Sequence, residues 1–252
     1  MDVRIMISEL WPGGPYFENE NYLFKPGTDS ALLAYFAKSV SIKKIRRAAD
    51  LGCGSGIISI LLAYDNSDLL IDSIEIQTLA AQLAARNVCL SGLSNRITVI
   101  EGDIRRHREL LSHGTYDLTI SNPPYYIQGS GKRALTGGIA DARGETLCTL
   151  DDLCKAACFL TRWGGSFLIV QKPERLADVF RAVCAHGFEP KRLRMVQHTR
   201  SSVPNLVLLE SRRGGKPSLK IEMPLILKND DGSDSDEARL IYRMDTGIDN
   251  YL

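Results

Sequence analysis

Lys191-Arg192-Leu193-Arg194-Met195-Val196-Gln197 and Leu206-Val207-Leu208-Leu209-Glu210 are two strand-like runs near the end of the chain. Only a short polar link containing Pro204 joins them, and no helix fits between. Strands joined this closely pair antiparallel, because a parallel pair needs a crossover of a dozen or more residues. The simplest placement is an antiparallel hairpin added to the edge of a sheet. That placement decides the fold, because everything before it has a different rhythm.

From about residue 45 to the hairpin, apolar strand-like runs alternate with longer helix-like ones. The strand-like runs are Ile45–Leu51, Leu69–Ile76, Ile97–Gly102, Tyr116–Ser121 and Ser166–Gln171. Between them lie helical patterns at Gly56–Tyr64, Leu79–Leu90 and Thr149–Thr161, and a short polar helix after Gly102. Trp163-Gly164-Gly165 is expected to end the Thr149–Thr161 helix. A last helix is expected from Pro173, well placed at a helix start, to about His186. Alternation of this kind predicts an α/β layer fold with a mostly parallel sheet. Five parallel strands closed by an antiparallel hairpin is the plan of the class I S-adenosylmethionine-dependent methyltransferase fold, a Rossmann-like sheet. A dehydrogenase-type nucleotide domain would not finish this way. After the hairpin, Leu219–Leu227 predicts one more strand and the acidic Gly/Ser/Asp stretch beyond it a loop. Before the core, Trp11-Pro12-Gly13-Gly14-Pro15 is a turn between two short β runs, and Thr28, Asp29 or Ser30 is expected to cap a helix starting at Ala31. Residues 1–252 read as a single methyltransferase domain, with an extension over 1–40, the core over 41–215 and a tail over 216–252.

Hydrophobic residues make up 44% of the chain and charged residues 24%, enough for one sizeable core. The formal net charge of +1 announces neither nucleic acid nor membrane. Basic residues cluster locally, at Lys43–Arg47, Arg105–Arg108, Lys191–Arg194 and Arg212-Arg213. The six cysteines contain no C-x-x-C pair, so no zinc site or other metal is expected, and they read as reduced cytosolic thiols. Neither a signal peptide nor a membrane-spanning run is expected, and the predicted location is cytoplasmic. His107, His113, His186 and His198 read as surface or helix-end residues. Nothing in the sequence fixes an oligomeric state.

Asp50-Leu51-Gly52-Cys53-Gly54-Ser55-Gly56 follows the first core strand and opens a helix. Its glycines allow a tight turn and the close approach of a ligand to the backbone. Dinucleotide and flavin sites also use G-x-G, but the spacing here is G-x-G-x-G, with an acid directly before it. In S-adenosylmethionine the ligand carries an amino-acid end, a ribose and an adenine. Asp50 is expected to accept from its ammonium, and Glu75, ending the second strand, from the ribose hydroxyls. Asp103, after the third strand, is placed to accept from the adenine amino group, with Ile104 against the ring. Gly52, Gly54 and Gly56 belong to this cofactor set, as does Asn122 at the end of the fourth strand.

Ser121-Asn122-Pro123-Pro124-Tyr125-Tyr126 ends the fourth strand abruptly, because neither proline can donate to a sheet. It stands where ligands of parallel sheets bind, beside the expected position of the cofactor's methyl group. The chemistry it suits is methylation of a planar amino or amide nitrogen, whose lone pair is delocalised. The Asn122 side-chain carbonyl and the Pro123 backbone carbonyl can each accept one N–H, drawing the nitrogen toward a tetrahedral shape and localising its lone pair. Pro124 helps hold these acceptors rigid, and Tyr125, with Tyr126, is expected to stack on the planar substrate as flipped bases are held. Orientation and electrostatic positioning then supply the catalysis, with no metal and no strong base.

With these residues in view, the chain resembles the bacterial tRNA (adenine-N6)-methyltransferases that modify the adenosine next to the anticodon of valine tRNA. Three segments carry the resemblance: Phe24–Leu33, Asp50–Gly56, and Ser121–Tyr126 with the trailing Gly129. It implies that Lys25, Gly27, Thr28 and Asp29 line the cofactor's methionine end and that the partner is RNA, specifically tRNA. It also implies that Asp141-Ala142-Arg143 matches a short acid-x-arginine element in which Arg143 contacts phosphate or base. The stretch from Gln128 to Thr146, with Lys132, Arg133 and Arg143, is expected to bind substrate. Two alternatives stand beside this reading: the same chemistry on an rRNA base or a protein glutamine, and a non-catalytic module that binds S-adenosylmethionine.

Overall fold

The computed structural model describes residues 5–20, 28–40, 45–124 and 148–244. The chain opens with a hairpin, β1 (Ile5–Glu9) and β2 (Tyr16–Glu20), joined by the Trp11–Pro15 turn. Helix α1 (Thr28–Ala37) follows. The core then runs β3 (Arg47–Leu51), α2 (Ile57–Asp65), β4 (Leu70–Glu75), α3 (Thr78–Leu90), β5 (Ile97–Glu101), the short α4 (His107–Leu110) and β6 (Tyr116–Ser121). After it come α5 (Leu150–Leu160), β7 (Thr161–Gln171), α6 (Leu176–Ala185), β8 (Phe188–Gln197) and β9 (Leu206–Arg213). Short strands β10 (Lys220–Ile221) and β11 (Leu225–Ile226) and helix α7 (Asp236–Ile241) finish it.

The sheet has the order β10-β8-β9-β7-β6-β3-β4-β5, with β11 also paired to β8. Strands β3 to β7 are parallel, and β9 lies antiparallel between β7 and β8. Strand order therefore runs one way from β3 through β4 to β5 and the other way from β6 to β7. The switch point falls between β3 and β6, which is where a ligand crevice opens in such sheets. Both faces are covered. On β7, Leu168 and Val170 join the core under α1, α2 and α3, while Phe167 and Ile169 join the core under α5 and α6. The same alternation holds on β9 for Leu206 and Leu208 against Val207 and Leu209. A strand buried on both faces has no polar side, which is why these runs are uniformly apolar.

The expected hairpin is present, but it is not the sheet's free edge, because β10 and β11 pair in parallel beyond β8. The expected single strand over Leu219–Leu227 is two strands of two residues, parted by Pro224, which has no N–H for a ladder. The acidic stretch ends in a helix rather than a loop alone: Ser235 accepts from the Ala238 N–H at 3.1 Å and starts α7. Trp163-Gly164-Gly165 does not merely end a helix but lies inside β7, where the register with β6 shifts between Tyr116 and Leu118. Thr149 caps α5, with a capping box closed by Asp152. Thr28, Asp29 and Ser30 are within α1 rather than before it. His107 is buried, not superficial: its Nδ1 faces the Ile104 carbonyl at 2.9 Å and its ring packs on Phe159.

Candidate active site

The carboxyl ends of β3, β4, β5 and β6 bring Asp50, Glu75, Asp103 and Asn122 to one side of the sheet. Asp50 and Asn122 come from adjacent strands, since Asp50 lies opposite Ile120 and Asn122 follows two residues later. The loop between β3 and α2 bends through Gly52, Gly54 and Gly56, all with φ between 54° and 83°. Only glycine takes such angles without strain. Around Gly52 and Gly54 a Cβ would meet nothing within 4 Å, so open space faces the bend. At Gly56 a Cβ would stand 3.3 Å from the Ala84 methyl, which ties the bend to α3.

Glu75 holds the bend from the neighbouring strand. One carboxylate oxygen accepts from the Gly54 N–H at 2.9 Å, the other from the Gln77 N–H at 2.9 Å. Each oxygen has a second lone pair, so hydroxyl donors can still be received there. Asp103 is engaged by Arg105, whose Nε lies 2.8 Å from one oxygen and whose backbone N–H reaches the other at 2.9 Å. The hydrogen bond from that guanidinium holds the Asp103 carboxyl below the usual carboxylate range. An adenine amino group that used Asp103 would share it with Arg105. Ile104 is partly buried against the core beneath α5.

Asp50 is fully buried. Its Oδ2 accepts from the Ser59 hydroxyl at 2.8 Å, and its Oδ1 has no partner among the described residues. Burial, with the Glu75 charge adding to it, pushes its pKa up to about 7 against the pull of Ser59. An orphaned, buried carboxylate oxygen suits a ligand that brings its own cation.

Asn122 is fixed by α1. Its Nδ2 donates to the Ser30 Oγ at 3.0 Å, so the amide presents Oδ1 as its acceptor end. Ser121, just before it, donates to the Leu51 carbonyl at 2.6 Å and locks the end of β6 to β3. Pro123 is half-buried and Pro124 exposed. Thr28 and Asp29 sit at the start of α1 with the buried Tyr242 phenol of the tail beside them. Lys25, Gly27, Tyr125, Tyr126, Asp141 and Arg143 lie outside the described residues.

Sequence reasoning missed four side chains. Ser30 carried no signal beyond its nearness to a helix start. Ser59 did carry one, as a single serine inside the otherwise apolar Ile57–Ala63. Ser73 joins Ser59 at 2.8 Å. Asn87, fully buried in α3, accepts from the Glu18 N–H at 2.6 Å and donates to the Ser55 carbonyl at 3.1 Å, so it joins the N-terminal hairpin to the glycine loop.

The family model for the methyltransferase small domain matches residues 26–152. A tRNA1(Val) (adenine(37)-N6)-methyltransferase of Tolumonas auensis is 32% identical over 226 residues, covering 88% of this chain and 90% of that one. The chain belongs to this family. A relative of the same name from Escherichia coli O157:H7 is 32% identical and covers 77% of each chain. Among solved structures, a predicted O-methyltransferase from Agrobacterium tumefaciens superposes with a TM-score of 0.69 at 21% identity, covering 85% of this chain and 95% of that one. TrmN from Thermus thermophilus superposes at 0.55 and 20% identity, over 73% of this chain and 48% of that one. At these identities the structures speak for the fold, which is the class I methyltransferase sheet. This family member is thus an S-adenosylmethionine-dependent methyltransferase.

Proposed function

We propose that the enzyme methylates the exocyclic N6 of an adenine next to the anticodon of a tRNA; its relatives are named tRNA1(Val) (adenine(37)-N6)-methyltransferases. The observation that carries this reading is the position of Asn122. It follows β6 at the switch point, beside the glycine bend, with its amide turned by Ser30. S-adenosylmethionine supplies an electrophilic methyl group on a sulfonium. Asp50 would hold its ammonium, Glu75 its ribose, and Asp103 with Ile104 its adenine. Lys25, Gly27, Thr28 and Asp29 would line its methionine end, and the backbone of Gly52, Gly54 and Gly56 would pass close to it.

The chain's own part in the chemistry is to orient the target amino group. Asn122 Oδ1 and the Pro123 carbonyl accept its two N–H bonds and hold the nitrogen with its lone pair aimed at the methyl. Pro124 stiffens the pair, and Tyr125 and Tyr126 stack on the base. Arg143 would contact phosphate or base. No general base is required, because the proton leaves after the nitrogen has become cationic. A tRNA substrate implies a cytoplasmic enzyme. Among the described residues no helix is long and apolar enough to cross a membrane.

The test is transfer of labelled methyl from S-adenosylmethionine to unmodified tRNA, followed by nucleoside mass spectrometry. N6-methyladenosine is expected with the intact protein, and a loss of about 10²–10³-fold in kcat with Asn122→Ala. Label in rRNA or in a protein glutamine, with tRNA unlabelled, would move the target while keeping the chemistry. Cofactor binding without any transfer would leave only a binding module.

A further inference from the structure

Asp50, Ser59 and Ser73 are all fully buried. They come from three elements that the fold stacks on one face. Ser73 of β4 is the register partner of Asp50 on β3, and Ser59 reaches down from α2 between them. Ser59 has one proton and gives it to Asp50 Oδ2, so the Ser73 hydroxyl donates to Ser59. The chain of donors runs Ser73 to Ser59 to Asp50 when Asp50 is ionised. Because hydroxyls both donate and accept, the same chain runs backward when Asp50 carries a proton on Oδ2. The network thus accommodates either charge state of Asp50 without moving a heavy atom.

What chooses between the states is charge. The charged group acting on Asp50 is Glu75, of the same sign, and the Cys53 thiol from the loop is itself pushed up by burial and by Asp50. Oδ1 has no donor. An isolated buried carboxylate is costly to ionise, and it neutralises instead. A cation brought to Oδ1 reverses the preference.

We propose that Asp50 is a proton-coupled acceptor, protonated in the empty protein at mildly acidic pH and ionised when the cofactor's ammonium arrives, with Ser59 and Ser73 as the positioning residues that hold its carboxyl in both states. The step balances simply: the carboxylic O–H bond breaks, its proton leaves to solvent, and the carboxylate stays opposite the ammonium. The inference rests on the reading that Asp50 receives the cofactor's methionine end.

Titration calorimetry of S-adenosylmethionine binding, repeated in buffers of different ionisation heat, counts the protons. Near pH 6 the wild-type protein is expected to release roughly one proton per cofactor bound, and the number falls toward zero above about pH 8. Ser59 lowers the Asp50 pKa, so Ser59→Ala should shift the pH profile of affinity upward, with about tenfold weaker binding near pH 7 that recovers as the pH rises. Ser73→Ala should shift it in the same direction by less. The empty protein gives a second readout. A carboxyl whose pKa is raised on folding stabilises the fold below its unfolded value, near 4, and that contribution is lost as the pH rises through about 7. Asp50→Asn should therefore melt progressively higher than wild type as pH rises over this window, and the gap should level off above it. Binding without proton release near pH 6, or a Ser59→Ala loss equal at every pH, overturns the proposal while leaving the cofactor reading intact. No binding at all by the wild-type protein overturns both.

Discussion

Asn122 and Ser30 are 92 residues apart in sequence and 3.0 Å apart in space. A primary amide can present either end to a substrate, and only one end accepts an N–H. The Ser30 hydroxyl settles which end by accepting from Nδ2. Ser30→Ala removes that discrimination without touching the backbone turn. Its expected effect is a fall in kcat of about tenfold, with the KM for S-adenosylmethionine within about twofold of wild type, read from initial rates on tRNA. An equal fall in affinity for the cofactor would show instead that Ser30 serves the cofactor pocket. Asp50 illustrates the opposite case: its carboxyl is buried with Oδ1 lacking a partner among the described residues, and the proposal above assigns that oxygen to a cation.

Helix α1 carries Ser30 to Asn122, so whatever holds α1 holds the site. Its far end is held by Arg192 of β8. The guanidinium donates to the Phe36 carbonyl at 3.0 Å and the Ser39 hydroxyl at 2.5 Å, stacks 4.0 Å above the Phe36 ring and pairs with the buried Glu210 at 2.6 Å. The tail adds a second hold. Arg194 binds Glu237 of α7 through both oxygens, at 2.6 and 2.7 Å. Arg243 lies 4.0 Å over the Trp11 ring and pairs with Asp65 of α2. Removing one partner of a buried pair leaves an uncompensated charge, so Arg192→Ala should destabilise by about 3–5 kcal/mol in denaturant unfolding. Arg192→Lys should recover only part of this, because an ammonium cannot reach four partners with one planar fork. Unfolding of Arg192→Ala within about 1 kcal/mol of wild type would mean that α1 is held mainly by its apolar face.

Over the whole molecule, the basic runs prominent in the sequence are largely committed to the fold. Arg47 pairs with Asp72, Arg105 with Asp103, Arg106 with Glu109 and Arg194 with Glu237, while Arg108 lies over Phe159 and Arg192 is buried. Among the described residues of these runs, most cations already have a partner in the fold. Lys132, Arg133 and Arg143, in the stretch after the Asn-Pro-Pro turn, are the better candidates for phosphate contacts. Replacing all three by alanine should flatten the slope of log affinity for tRNA against log salt by about 2–3, whereas Arg194→Ala should leave the slope unchanged. An unchanged slope in the triple variant would move the phosphate contacts to the folded core.

The sequence by itself determined the layer order and the strand ends at which the candidate site residues stand. Strand and helix periods differ, glycine alone takes the left-handed bend at Gly52, Gly54 and Gly56, and paired prolines end a strand wherever they occur. The five parallel strands, the late hairpin and the ends where Asp50, Glu75, Asp103 and Asn122 stand were legible for those reasons. Trp163-Gly164-Gly165 misled because a bulge keeps it inside β7, and α7 escaped because six residues behind a polar cap carry too little periodicity. Only the tertiary structure decided which polar groups meet. Ser73 faces Asp50 through strand register, Ser59 reaches both from a helix, and Arg192 is internal because the end of α1 and Glu210 of β9 enclose it. Burial and partnership are properties of chain segments brought together from far apart, and no local pattern of residues encodes them.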